Sequence, residues 1–167
     1  MTRDAANAST ARSGLAEDDR PLGSYGVLIG TYSGVAAVFA LWLRRSGRPV
    51  PDGVRTGDLA LVAVATHKGA RLLSKDRVTS VVRAPFTRPE EDGAAGEVEE
   101  AARGDGFRRA VGELLVCPYC VALWIASGLT GALIVAPRLA RGVSFTLTAL
   151  TISDFLQVAY RKAEDTL

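Results

Sequence analysis

Two long uncharged stretches constrain this chain more than any other feature of its sequence. Residues 25–43 (YGVLIGTYSGVAAVFALWL) and residues 114–137 run for 19 and 24 residues without a charged side chain, and residues 142–158 carry Asp154 as their one charge. About 20 apolar residues, each adding about 1.5 Å to an α-helix, cross the hydrocarbon core of a bilayer. A soluble chain of 167 residues with three such helices would have too little amphipathic sequence left to cover them. The sequence therefore predicts an all-α integral membrane protein.

The predicted order of segments places four transmembrane helices between two tails. We predict a disordered N-terminal tail at residues 1–24, transmembrane helices at residues 25–43, 54–73, 117–136 and 139–160, a cytoplasmic loop at residues 74–116 and a cytoplasmic tail at residues 161–167. The second helix is the weakest of the four, because its uncharged core of eight residues is followed by His67, Lys68 and Arg71. We interpret it as a spanning helix whose cations reach the interface. A surface or re-entrant helix, and hence three spans, is the alternative.

The predicted loop divides into segments of different charge. Residues 74–86 (SKDRVTSVVRAPF) combine cations with a short apolar face, which is typical of a helix lying on anionic lipid headgroups. Residues 87–105 are acidic and punctuated by glycine and alanine, so we predict a mobile acidic loop and a binding site for a protein partner there. Residues 107–116 place apolar side chains on one side, which predicts a second short interfacial amphipathic helix.

The distribution of lysine and arginine indicates the orientation. With four spans and both termini inside, the loops and tails put twelve cations on the inner side and six on the outer side. This agrees with the positive-inside rule. Three spans with the N-terminus outside agree with the rule better still. We predict a multi-pass protein with both termini in the cytoplasm, and the three-span arrangement stays open.

The two cysteines of the chain stand together in the sequence VCPYCVALW. Cys117 and Cys120 flank Pro118 at the start of the third predicted membrane helix, where a proline fits because its missing N–H is not needed. A helix N-terminus favours the thiolate form, and C-x-x-C spacing allows a disulfide. The tetrapeptide CPYC also resembles the active-site tetrapeptide of glutaredoxins, but the surrounding βαβ pattern is missing. Three interpretations stay open: small polarizable fillers of a helix start, a thiol redox pair, or part of a metal site.

Asp154 is the clearest sign of a polar site inside the membrane. A carboxylate at the centre of a membrane helix costs about 2.5–3.5 kcal/mol, so it is expected to face the bundle and to have a partner. The four-span arrangement gathers an intramembrane polar cluster on one side of the bundle: His67, Lys68, Arg71, Glu113, Asp154 and Gln157. One interpretation is an ion pair of Asp154 with Lys68 or Arg71 that fixes the bundle, and the other is a pocket for an ion, a proton or a small ligand. A metal ion would need Cys117, Cys120, His67 and Asp154 together, or a second chain.

Other function classes find no support in the sequence. The net charge of +2 gives no case for nucleic acid binding. The chain has no evident nucleophile–base pair, paired carboxylates or phosphate-binding glycine loop, so no cofactor is predicted. Gly26, Gly30 and Gly34 recur every four residues in the first helix, which allows close helix packing either in a homo-oligomer or within the bundle.

Three segments taken together resemble a known family. THKGARLLSKDRVTSVVRAPFTR, GEVEEAARGDGFRRAVGELLVCPYCVALW and SDFLQVAY are similar to the bacterial membrane-protein family filed as domain of unknown function 1360, over about residues 58–161. The resemblance implies a bacterial cytoplasmic (inner) membrane and a membrane helix before the basic segment, which favours four spans. It implies no known activity.

We therefore interpret the chain as a non-enzymatic membrane component that binds partners or has a structural role. One alternative is a membrane-embedded dithiol that works in redox chemistry or binds a metal. The other is an ion- or proton-coupled transport module around Asp154.

Overall fold

The computed structural model of the protein describes residues 21–93 and 96–165. Within these residues the chain forms six α-helices and one two-stranded sheet. In chain order the elements are α1 (Leu22–Ser46), α2 (Thr56–Lys75), α3 (Ser80–Arg83), β1 (Thr87–Asp92), β2 (Val98–Ala102), α4 (Gly106–Val116), α5 (Pro118–Val135) and α6 (Pro137–Glu164). The prediction of a mainly helical chain is confirmed. Residues 1–20 of the predicted disordered tail lie outside the described residues.

Glycine and proline set the ends of the long helices. Gly47 ends α1 in the left-handed conformation (φ 63°), which glycine adopts without a steric cost. Pro118 and Pro137 occupy the first turns of α5 and α6, where a missing N–H leaves no hydrogen bond unmade. Ala136 alone therefore separates α5 from α6.

Two polar contacts show how α1 runs against α5. The hydroxyls of Tyr32 and Ser127 lie 2.8 Å apart. Arg48, just beyond the end of α1, donates to the carbonyl of Val135 at the end of α5 at 3.3 Å. The two helices therefore run in the same direction. The loop that follows α1 lies at the same end of the bundle as Ala136, and we call this end the turn end.

The helix α2 returns from the turn end in the same direction as α6. Arg141 donates to both carboxylate oxygens of Asp58 at 2.8 Å, and Lys68 pairs with Asp154 at 2.5 Å. One helical turn has about 3.6 residues, so these pairs keep α2 beside α6 over almost three turns. The end of α2, the sheet and α4 lie at the opposite end of the bundle, which we call the hairpin end.

Small residues let α2 pack closely between α5 and α6. A Cβ atom added to Gly69 would lie 3.4 Å from Ile125 and 3.7 Å from Leu147. The buried side chains of these three helices are small as well: Ala65, Ala70, Ser74, Val121, Ala140, Ser144 and Thr151. Close packing of small residues is typical of helix association in membranes, where lipid is as apolar as leucine.

Among the described helices, α1, α5 and α6 are long and apolar enough to cross a membrane. The second predicted span does not meet that standard, because α2 carries Asp58, Lys68, Arg71 and Lys75 within its 20 residues. Length and hydropathy thus support three spanning helices and not the four predicted ones. Large apolar side chains on α1 and α6 face outward and are available to lipid, among them Ile29, Val38, Phe145 and Phe155.

The acidic segment that we predicted as a mobile loop is a β-hairpin over most of its length. The strands β1 and β2 pair antiparallel, with Thr87 opposite Ala102 and Asp92 opposite Val98, and a bulge falls between Pro89 and Glu91. A further bridge joins Asp76 to Glu97. We predicted disorder from the acidic composition of this segment. That composition does not reveal the cations elsewhere in the chain that lie opposite the strands and neutralise them. Residues 94 and 95 of the segment lie outside the described residues.

Ion pairs attach the hairpin to the end of α2 and to α3. The pairs are Arg71–Glu97 (2.5 Å), Lys75–Glu99 (2.6 Å), Arg77–Asp92 (2.8 Å) and Arg83–Glu100 (3.0 Å). The basic segment that we predicted as an amphipathic helix on headgroups therefore contains one helical turn, α3, and its cations pair with the acidic strands. We call α3, the two strands and α4 together the hairpin unit.

Candidate functional site

The CPYC sequence forms the junction between α4 and α5 at the hairpin end. Cys117 is the N-cap of α5, and its sulfur accepts a hydrogen bond from the backbone N–H of Cys120 at 3.2 Å. The Cα atoms of the two cysteines are 5.3 Å apart, and their sulfur atoms lie close enough for a disulfide. Tyr119, between them, is 89 % exposed. The local geometry therefore suits a disulfide between the two cysteines.

A small cavity of about 410 Å³ lies next to Cys120, between α1, α4 and α5. Tyr25 and Glu113 form its polar wall, where the hydroxyl of Tyr25 donates to the carboxylate of Glu113. Arg109, which does not line the cavity, donates to the other oxygen of that carboxylate at 2.9 Å. Leu123 and Trp124 are among the apolar residues of its wall. The cavity thus has one polar side at the hairpin end and an apolar remainder.

A larger cavity of about 740 Å³ lies next to the small one, on the side of the turn end. The two share Tyr32 and Trp124, whose rings meet edge to face with centroids 5.2 Å apart. Gly128 and Gly131 of α5 lie along the larger cavity, whose other lining residues are almost all apolar. We call the two cavities together the α1–α5 groove.

The predicted intramembrane cluster divides into separate contacts. Lys68 pairs with Asp154 at 2.5 Å, which is the arrangement that the ion-pair interpretation of Asp154 describes. Arg71 instead makes a two-pronged contact with Glu97 of the hairpin. Glu113 belongs to the wall of the small cavity, His67 is exposed, and Gln157 lies 3.4 Å from the hydroxyl of Ser153.

The four candidate metal ligands do not meet. Within the described part of the chain, no three side chains of His, Cys, Asp or Glu come together in a way that could hold a metal ion. Asp154 is engaged by Lys68, and Cys117 and Cys120 lie against each other. A site made of Cys117, Cys120, His67 and Asp154 would therefore need a rearranged chain or a second copy.

The glycines of α1 are open on their outer side. A Cβ atom added to Gly26, Gly30 or Gly34 would meet no atom within 4 Å. Packing within the described bundle thus does not account for this row of small residues. A homo-oligomer through it stays a prediction.

Arg83 makes five hydrogen bonds within the described part of the chain and is a residue that sequence reasoning missed. Arg83 is fully buried and donates to both oxygens of Glu100 at 3.0 Å. It also donates to the carbonyls of Leu73 and Asp76 and to the hydroxyl of Thr79. One guanidinium thereby joins the end of α2, the α2–α3 turn and β2. Glu97 and Glu99 are two residues apart. This spacing was the signal that could have indicated a strand, because every second residue of a strand faces the same side.

The environment of Glu100 shifts its acidity. Burial raises the pKa of Glu100, but hydrogen bonds from Arg83 and Thr87 and the charges of Arg83 and Lys75 outweigh burial, and the pKa is lowered from its usual 4.5. The carboxylate is therefore ionised at neutral pH and completes the buried pair.

The fold and the site together define a helical-bundle membrane protein with a cysteine pair at the start of one apolar helix. The chain belongs to the protein family of unknown function DUF1360, whose model matches residues 61–160. It is 29 % identical over 107 residues to the sporulation protein YjcA of Bacillus subtilis (strain 168), a match that covers 62 % of this chain and 91 % of that protein. No solved structure matches the chain.

Proposed function

We propose that the chain spans the bacterial inner membrane four times, with the hairpin end and both termini in the cytoplasm. The packing of α2 supports the fourth span: it lies beside α6 from the Asp58–Arg141 pair to the Lys68–Asp154 pair, so a bilayer around α6 also surrounds α2. A 20-residue helix is about 30 Å long, which matches a hydrocarbon core. The excess of cations at the hairpin end supports the orientation.

Single cysteines test this topology. In a Cys117→Ser, Cys120→Ser background, Asp52→Cys would report on the α1–α2 loop and Glu90→Cys on the hairpin. With four spans, a membrane-impermeant maleimide labels Asp52→Cys in intact cells and Glu90→Cys after the cells are opened. Labelling of both positions under the same condition would mean that α2 does not cross, and three spans would replace four.

The role that the geometry supports best is a non-enzymatic one, in which the membrane helices hold the hairpin unit for a protein partner. The observation that carries this proposal is an uncovered apolar patch on a unit that ion pairs otherwise lock together. Val78, Val81 and Val82 are 83 %, 74 % and 56 % exposed. Exposed apolar side chains that form one patch are typical of interaction sites. Three nearby cations, Lys75, Arg77 and Arg83, already have acidic partners, which weakens the case for anionic headgroups as the ligand.

Photo-crosslinking identifies what covers the patch. A photoreactive amino acid at Val81 in the full chain is expected to yield a protein adduct in cells, and the same residue at Glu90, which is exposed on the hairpin but outside the patch, is the matched control. Adducts with lipid alone at Val81 would contradict the proposal and support the headgroup contact instead. Equal protein adducts at both positions would also contradict it.

A second candidate function is thiol–disulfide exchange by Cys117 and Cys120. The observation that favours it is the contact between the two sulfurs at a helix start, with the N–H of Cys120 directed at the sulfur of Cys117. Disulfides on the cytoplasmic side are generally transient and catalytic or regulatory. Alkylation of opened cells, with and without prior reduction, tests this candidate: thiols that react only after reduction support exchange, and thiols that react fully without it contradict a disulfide.

The name of the B. subtilis relative suggests the cellular process in which either function takes place. Its name as a sporulation protein supports a role in the membrane of a spore-forming cell, and it names no reaction.

A further inference from the structure

We infer that the α1–α5 groove binds an isoprenoid quinone, with the quinone ring beside Cys120 and the isoprenoid tail extending toward the turn end. This inference rests on the second candidate function and deepens it, because it names the electron acceptor of the dithiol. Three properties of the groove carry it: its position, its chemistry and its size.

The position of the groove joins the cysteine pair to the interior of the membrane. Cys120 lines the small cavity, and the larger cavity reaches Val135 at the other end of α5. From Cys120 to Val135 a helix rises by about 22 Å. A ligand that fills both cavities therefore has one end at the thiols and the other deep in the apolar part of the bundle.

The polar end of the groove suits a neutral head better than an anionic one. Its wall carries the carboxylate of Glu113, which an ion pair with Arg109 and a hydrogen bond from Tyr25 already hold in place. Because Arg109 neutralises this carboxylate, the pair offers a lipid phosphate no net positive charge. Quinone carbonyls carry no charge. Aromatic side chains also line the junction of the two cavities, Tyr32 and Trp124, and contact with aromatic side chains suits a flat ring.

The size and lining of the groove match a ligand with a long apolar tail. Cavities of about 410 and 740 Å³ lie in the usual range of about 300–1,000 Å³ for small-molecule sites. Apart from a few hydroxyls such as those of Tyr32, Ser127 and Thr130, the larger cavity is lined by apolar groups. An isoprenoid chain needs no polar partner, so it can occupy such a lining without leaving a buried group unsatisfied.

The two thiols and the quinone account for all the electrons and protons of the proposed reaction, so no further redox group is needed. The two thiols of Cys117 and Cys120 lose two protons and two electrons, and an S–S bond forms between them. The quinone takes up the two electrons and two protons at its oxygens and becomes the quinol. A cytoplasmic dithiol then reduces the disulfide by exchange and is itself oxidised to a disulfide.

The binding step is tested on the full chain in proteoliposomes with an azido-quinone carrying an isoprenoid tail. We expect photolabelling of α1 and α5 residues of the groove, competition by unlabelled quinone, and no competition by excess phospholipid. Labelling is expected to persist in the Cys117→Ser, Cys120→Ser variant, because binding does not need the thiols. Competition by phospholipid as strong as that by quinone would overturn the inference and assign the groove to a lipid tail.

Two matched glycine substitutions locate the binding site. Gly128 lines the larger cavity and Gly142 lies on α6, and a Cβ atom at either position would meet no atom within 4 Å. Gly128→Phe should fill the groove and weaken labelling about tenfold. This corresponds to a loss of about 1.4 kcal/mol in the free energy of binding. Gly142→Phe should leave labelling unchanged. Equal effects of the two substitutions would overturn the assignment to the groove.

Electron transfer is measured separately from binding. Reduced protein mixed with a short-chain quinone should lose both alkylatable thiols, and Gly128→Phe should slow this loss. Groove labelling with both thiols still alkylatable would overturn the electron-transfer step and, with it, the quinone-coupled form of the second candidate function. Thiols that are oxidised by quinone at the same rate in Gly128→Phe would overturn the groove as the quinone site and leave the redox function standing.

Discussion

At the scale of single residues, Arg83 shows how a charged side chain can be buried in a small folded unit when hydrogen-bond acceptors surround it. Its guanidinium contacts a carboxylate, a hydroxyl and two backbone carbonyls, so little of its hydrogen-bonding capacity is lost on burial. A buried ion pair contributes modest net stability against apolar replacements, but the removal of one partner leaves the other charge uncompensated. The hairpin unit should therefore depend on both partners being present.

Removal of the Arg83 side chain should open the hairpin. Arg83→Met leaves Glu100 buried without its partner, at an expected cost of about 3–5 kcal/mol, and hydrogen exchange of the β1 and β2 amides in the detergent-solubilised chain measures it. The double variant Arg83→Met, Glu100→Gln should recover part of the loss. Arg77→Met is the matched control, because its partner Asp92 is 81 % exposed and the expected cost is about 0–1 kcal/mol. Equal exchange in the two single variants would refute the special role of Arg83.

The lowered pKa of Glu100 predicts acid sensitivity of the same unit. Because the folded-state pKa lies below the usual 4.5, the pair contributes its full stability above pH 4.5 and loses it as the pH falls through the folded-state pKa. Hydrogen exchange of the hairpin, corrected for its intrinsic pH dependence, should thus accelerate below pH 4.5. Glu100→Gln should be less stable at neutral pH but show a flatter pH dependence, and an unchanged slope would contradict the assignment to Glu100.

At the scale of elements, α4 sets the distance between the hairpin and the membrane helices. It packs against β2 through Gly112, where an added Cβ atom would lie 2.5 Å from the carbonyl oxygen of Phe86 and 2.9 Å from the Cβ of Ala102. The glycine is required there by close approach of two backbones and not by its own conformation, since it lies within a helix. The adjoining CPYC turn then directs the chain into α5.

Gly112→Ala should separate α4 from the sheet. The expected loss is about 1–3 kcal/mol, because a methyl group would overpack a contact with backbone atoms that cannot rotate away. Thermal unfolding in detergent and protease access to residues 87–105 would report it. Gly142→Ala is the matched control: it adds a methyl group to a helix with open space around it and should leave the midpoint unchanged or slightly raised. A similar loss in both variants would argue against the close contact.

At the scale of the whole molecule, two ion pairs hold α2 in register with α6. Asp58–Arg141 lies toward the turn end and Lys68–Asp154 toward the hairpin end. The small side chains between the two ion pairs let α2 and α6 approach closely, but they do little to fix how far one helix is shifted along the other. The two pairs therefore decide which face of this polar helix the apolar helices cover.

Charge exchange tests this register. Lys68→Asp and Asp154→Lys should each reduce accumulation of the protein in the membrane, because each leaves two like charges side by side in an apolar bundle. The double variant should restore accumulation, and the same should hold for Asp58→Arg with Arg141→Asp. Quantitative immunoblotting of membrane fractions measures the effect. Failure of both double variants to recover would show that the pairs do not act through mutual attraction.

The apolar helices and their direction changes could be read from the sequence. The long apolar stretches predicted α1, α5 and α6, and Pro118 was predicted in the first turn of α5, where it lies. Pro137 was predicted in a turn before a helix that begins at residue 139, but it is the first residue of α6. The sequence predicted Lys68 or Arg71 as the partner of Asp154, because an intramembrane carboxylate needs a cation nearby. The choice between the two depended on the hairpin, since Glu97 binds Arg71 and leaves Lys68 for Asp154.

The sequence by itself determined that this chain is a helical membrane protein, because transfer of a long uncharged helix into lipid depends on composition alone. Tertiary structure decided which charges meet. The acidic and basic segments each resembled a solvated loop or a surface helix when taken separately, and they became one folded unit only because the fold brings the cations of α2 and α3 opposite the acidic residues of β1 and β2. The α1–α5 groove likewise depends on how far apart two helices are held, and helix separation is set by side chains distant in sequence.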